Sequence, residues 1–175
     1  MEELIDCLDE FGNKTGVVKK KSDIKKDGDY HRVIAVLVVN GDNILIHQRS
    51  ISKKVYPNLW SLFVRGHVQA GESSIDACKR EIKEEIGIDV NEDELEFLYT
   101  LKEKAKKKDY IENMFYDTYI LRKDIDIKDI TIQKEELNDI KFINIDEVKK
   151  QIESGNKEYV PNDEDYKRIF EYLKN

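Results

Sequence analysis

The chain predicts an α+β fold, an α/β/α sandwich whose mixed sheet is mostly antiparallel. Three stretches of its 175 residues carry that expectation. Arg32-Val33-Ile34-Ala35-Val36-Leu37-Val38-Val39 is apolar and rich in β-branched residues, so it reads as a central strand. Asn40-Gly41-Asp42-Asn43 is a strong hairpin turn behind it. Between Ser73 and Gly87, Ile75, Cys78, Ile82 and Ile86 fall on one stripe at about 100° per residue, as in a helix with one buried face.

From the N-terminus, residues 3–9 and 15–19 read as a hairpin around Glu10-Phe11-Gly12-Asn13, because short alternating runs flank Gly and Asn. The basic stretch from Lys19 to Asp29 holds a short helix from Ser22 and reads as a solvated connection. His31 opens the central strand, and residues 44–49 are its hairpin partner. Lys53 and Lys54 lie in the loop beyond. Residues 59–65 form one short strand that delivers the chain to Gly66. Ser73 or Ser74 caps the following helix, Asp76 supplies a capping-box acid and Gly87 stops it.

Residues 95–102 and 110–121 are two more strands, joined through Ala105-Lys106-Lys107-Lys108-Asp109. Tyr99, Tyr110, Phe115, Tyr116 and Tyr119 crowd them, either packing across strands or stacking on a base. Residues 140–145 form the last strand, and Asp146 caps a helix to about Ile152. A C-terminal helix covers about 162–174, with acids in its first turn and Lys174 in its last, as the helix dipole favours.

The length fits one domain over residues 1–175. A net charge of −7 argues against a general nucleic-acid or membrane-surface binder, although phosphates can still be held locally by metals and a few placed cations. Cys7 and Cys78 lie far apart without metal-ligand spacing, which suits a reduced, cytoplasmic protein. The N-terminus MEELIDCLDE lacks an apolar leader core, and the chain has no apolar run of membrane-spanning length.

Glu81 and Glu85 stand one helical turn apart beside the buried stripe, with Glu84 on the adjoining flank. Three carboxylates crowded on one turn repel unless a cation joins them. Hard oxygen ligands suit Mg2+ or Mn2+ rather than zinc. The plainer alternative is a solvated acidic face, laced by an Arg80 to Glu84 pair at i,i+4.

Residues 66–88, GHVQAGESSIDACKREIKEEIGI, fill every fixed position of G-x5-E-x7-R-E-U-x-E-E-x-G-U, where U is a bulky aliphatic. Gly66, Glu72, Arg80, Glu81, Glu84, Glu85 and Gly87 are the fixed residues, with Ile82 and Ile88 aliphatic. The stretch resembles the signature of the Nudix hydrolases. The resemblance implies the same sandwich and a metal-dependent hydrolase. Its substrate would be a nucleoside diphosphate linked to another moiety, or a nucleotide. Glu81 and Glu85 are then the first metal ligands, Glu84 supports them, and the Gly66 carbonyl completes the set. Glu72 and Arg80 hold the loop against the helix and orient the ligands. The base that activates water stays open among Glu81, Glu84, Glu112, Glu135 and Glu136.

Residues 31–73 are similar to type I isopentenyl-diphosphate isomerases, which share that fold. The likeness implies that Arg49 and Lys53 hold a diphosphate, and Arg65, directly before Gly66, is counted with them. It sets His31, His67 and Glu112 at the places of a second metal. The isomerases also need a cysteine where this chain has Arg65, a glutamate where it has Met114, and another histidine near Ile24. Both groups that move protons on the allylic carbons are missing, while Glu81, Glu84 and Glu85 are intact, so a hydrolase is favoured. An isopentenyl-diphosphate isomerase and a non-catalytic nucleotide-binding module are the alternatives. The hairpin edge can pair with another subunit to form a homodimer.

Overall fold

The computed structural model describes residues 2–106 and 111–174. Lys107, Lys108, Asp109 and Tyr110 of the expected junction lie outside the described residues. The elements in order are β1 (Leu4–Leu8), β2 (Lys14–Lys20), α1 (Lys21–Asp27), β3 (Tyr30–Asn40), β4 (Asn43–Arg49), β5 (Trp60–Ser61), β6 (Phe63–His67) and α2 (Ser74–Ile86). There follow β7 (Leu95–Lys106), β8 (Ile111–Arg122), β9 (Leu137–Asn144), α3 (Ile145–Glu153) and α4 (Asp163–Leu173).

β3 is the axis of the sheet. Along one edge β8 runs parallel to it, from Tyr30 opposite Asn113 to Val39 opposite Arg122. The other edge is shared by β1 at Leu8, antiparallel β6 from Val33 to Leu37, and β4 at the hairpin turn. Side chains of a strand alternate between faces. Ile34, Val36 and Val38 therefore pack with Ala77, Cys78, Ile82 and Ile86 of α2, while Ala35, Leu37 and Val39 pack with Val148 of α3 and Tyr166, Ile169 and Phe170 of α4. This is the α/β/α sandwich, with β3 apolar because helices cover both its faces.

Three local expectations need correction. The single strand over 59–65 is two, because Ser61 Oγ donates to the Phe63 carbonyl and accepts the Phe63 amide, kinking the chain at Leu62. β5 then pairs with β4, whereas β6 pairs with β3. The cap of α3 is Asn144 rather than Asp146, its side chain accepting the amides of Asp146 and Glu147. The short helix expected from Ser22 is α1, but it is not a solvated connection, because buried Ile24 seats it against Ile5 and Cys7.

Among the described residues no helix is long and apolar enough to cross a membrane. α2 has the caps its sequence encodes. Ser73 Oγ accepts the Asp76 amide at 3.1 Å, and Gly87, at φ 76°, closes the last turn by donating to the Lys83 carbonyl. Ser73→Ala should lower unfolding stability by about 1 kcal/mol in urea titrations. An unchanged midpoint would show that the cap contributes nothing here.

Candidate active site

α2 crosses β6 so closely that a Cβ added to Gly66 would lie 2.0 Å from Glu81 Cδ. Only glycine lets the Glu81 carboxylate rest against the strand backbone. Glu81 and Glu85 are both only 8% exposed, while Glu84, on the flank, has a 52% exposed side chain. Burial raises the Glu81 pKa, with the Arg80 hydrogen bond opposing it. Burial first, and then the Glu81 charge, push Glu85 up to about 8. Its Oε2 is buried with no hydrogen-bond partner.

Arg80 ties this turn to the preceding loop. Its Nε and Nη2 donate to the two oxygens of Glu72, each at 2.9 Å, a bidentate pairing that fixes the guanidinium plane. Nη2 also reaches the His67 carbonyl at 2.9 Å, and Nη1 the Glu81 carboxylate at 2.6 Å. Glu72 accepts the Gln69 amide in turn. The anticipated Arg80 to Glu84 pair exists, but at 3.6 Å it is the loosest contact of the group.

Arg49 and Lys53 lie near the same carboxylates. Both lie close enough to Glu85 for their charges to oppose its upward shift, and burial lowers the pKa of each cation. The Nε of Arg49 donates to the Val55 carbonyl, and Lys53 is ion-paired with Glu136. Glu136 thereby joins the site, whereas Glu135 is exposed.

Arg65 is engaged elsewhere. Nη2 donates to Asp165 of α4 at 2.9 Å, and the guanidinium lies over the Phe63 and Tyr116 rings. Its Nε is buried without a partner. Asp165 also accepts the Tyr99 hydroxyl at 2.7 Å. Sequence reading missed Asp165, since no local motif links residues a hundred positions apart.

A hard divalent cation fits the helix carboxylates. Glu81 and Glu85 supply buried oxygens, one of them lacking any donor, Gly66 brings its strand backbone alongside, and Glu84 can reach in from the flank. Among the described residues no three His, Cys, Asp or Glu side chains already converge as a finished cage.

The second metal implied by the isomerase likeness does not fit. His31 and His67 stack with centroids 5.3 Å apart, but Glu112 is taken by Lys25 at 2.8 Å rather than gathered with the other acids. Burial holds both imidazoles below their usual pKa range.

Fold and site together define a sandwich with two buried helix carboxylates and two cationic side chains nearby. The NUDIX domain model matches residues 29–163, and the chain belongs to the Nudix hydrolase family, whose members act on acid anhydrides. Nudix hydrolase 3 of Arabidopsis thaliana is 31% identical over 181 residues, covering 99% of this chain but 23% of its own length. An uncharacterized Nudix hydrolase of Listeria monocytogenes is 33% identical over 157 residues, 89% of this chain and 87% of its own. Isopentenyl-diphosphate Delta-isomerase 1 of Photorhabdus laumondii is 36% identical over 111 residues, 62% of this chain and 61% of its own. A crystal structure from Deinococcus radiodurans superposes with TM-score 0.67 at 21% identity, covering 98% of each chain.

The Glu85 shift sets a pH prediction. Its pKa in the folded chain, about 8, exceeds the ordinary 4.5, so the folded state keeps a proton that the unfolded chain releases. In chelator, the wild type should lose stability relative to Glu85→Gln as pH rises from 4.5 through 8. Parallel unfolding midpoints across that range would contradict the burial argument.

Proposed function

We propose that the chain is a Mg2+- or Mn2+-dependent hydrolase that cleaves a phosphoanhydride bond in a nucleoside diphosphate linked to another moiety, or in a nucleotide. The observation that carries this reading is the buried Glu81 and Glu85 pair, with its donorless oxygen, set beside Gly66 and within reach of the charges of Arg49 and Lys53. A cation held by Glu81, Glu85 and the Gly66 carbonyl, with Glu84 at its edge, would neutralise the anhydride and acidify the attacking water.

The chain's own residues do the rest. Arg49 and Lys53 draw the diphosphate in, while Arg65, bound to Asp165, stands directly before Gly66. Arg80 and Glu72 keep Glu81 at its angle. The base is a carboxylate of this same group: Glu84 is the most solvated, and Glu136 reaches the site only through Lys53. Glu112, bound by Lys25, is the least suited of the candidate ligands and bases. An isomerase reading would need proton-moving groups where Arg65 and Met114 stand.

The N-terminal hairpin lies before the matched residues, yet it is tied in. Leu8 pairs with Tyr30, and the Ala70 and Gly71 amides donate to the Leu4 carbonyl and the Asp6 carboxylate. We therefore read the whole chain as one domain. β2, exposed along nearly its whole length, is the edge a second copy would extend. Free, buried Cys7 and Cys78 suit a reducing cytoplasm.

A panel of nucleotide sugars, dinucleotides and nucleoside di- and triphosphates, assayed with Mg2+ or Mn2+, should reveal metal-dependent release of phosphate products. Glu81→Gln and Glu85→Gln should each abolish turnover, and Glu72→Gln should reduce it roughly 10–100-fold. Arg49→Ala should chiefly raise KM. Full turnover by both glutamate variants would overturn the assignment.

A further inference from the structure

Beside the helix carboxylates, β3, β6, β8 and α1 meet at a second polar cluster. His31 on β3 and His67 on β6 stack with ring planes 10° apart, and each Nε2 is buried without a partner. Because β8 runs parallel to β3, with Tyr30 opposite Asn113 and His31 opposite Met114, Glu112 arrives at the same end of the sheet. With two imidazoles this carboxylate would make a donor set of the kind zinc accepts. Instead it accepts Lys25 Nζ at 2.8 Å. α1 delivers that lysine from the residue next to Ile24, which is 1% exposed and anchors the helix on β1.

We propose that Lys25 is a built-in monovalent cation that has replaced a second divalent ion, making the His31, His67 and Glu112 cluster one that excludes metal. An ion entering here would have to displace the ammonium from Glu112 and then sit near it, with like charges repelling at short range. Met114 and Ile24 offer it no further oxygen or nitrogen. The two unpartnered Nε2 atoms are what remains of such a ligand set. Metal dependence is thereby confined to the turn carrying Glu81 and Glu85, and this holds whether or not the chain hydrolyses a nucleotide.

The test is zinc binding by calorimetry on the full-length, metal-stripped chain, with cobalt absorption to identify imidazole ligation. The wild type should show no site that His67→Asn removes. Lys25→Met, which deletes the ammonium but keeps the stem, frees Glu112 and should create a His67-dependent zinc site that the wild type lacks. Lys25→His, which adds a ligand, should do so too, and Glu112→Gln in either background should erase the gain. Lys25 is 29% exposed in its side chain, so both variants should fold, as circular dichroism would check. A His67-dependent zinc site in the wild type, or no gain in either folded Lys25 variant, would overturn the proposal.

Discussion

Burying two carboxylates on one helical turn is unfavourable unless something neutralises them, and the site's geometry follows from that constraint. Arg80 answers for Glu81 through a 2.6 Å contact. Glu85 has no such donor; without a cation its remedy is to keep a proton, which is why its pKa climbs to about 8. Arg49 and Lys53 soften the shift without cancelling it. The turn is thus held in a state that a divalent ion would relieve, and α2 cannot rotate to expose it because Cys78, Ile82 and Ile86 are fully buried against β3.

The supporting residues divide the work by rigidity. Gly66 removes the side chain that would keep Glu81 from the strand. Arg80 and Glu72 lock the loop by a planar, bidentate pairing that a lysine could not reproduce. Across the sheet, Asp165 binds Arg65 directly before Gly66, so α4 is coupled to the site although it carries no residue of the helix signature. The sandwich therefore fixes the site from both faces.

Much of this was legible in the sequence where a local rule governs. The β-branched run of β3, the Asn-Gly turn and the caps Ser73 and Gly87 depend on residues close in the chain, and each element formed near its expected bounds. What was illegible depends on distant partners. The break at Leu62 arises because Trp60 and Phe63 pair with different strands, and the cap at Asn144 because its side chain, rather than Asp146, reaches the amides. Within the site, helical spacing foretold that Glu81, Glu84 and Glu85 share one turn, whereas Gly66 beside them was implied by the resemblance to the Nudix signature. The Lys25 pairing of Glu112 and the Asp165 hold on Arg65 bridge 87 and 100 positions, beyond any periodicity.

Glu85, buried with a pKa raised to about 8, must give up its proton if a metal ion is to bind it. Calorimetric titration of the chelated protein with Mn2+ at pH 7, in buffers of different ionisation enthalpy, counts the protons released on binding. Release of roughly one proton per ion bound is expected. Tight Mn2+ binding without proton release would contradict it.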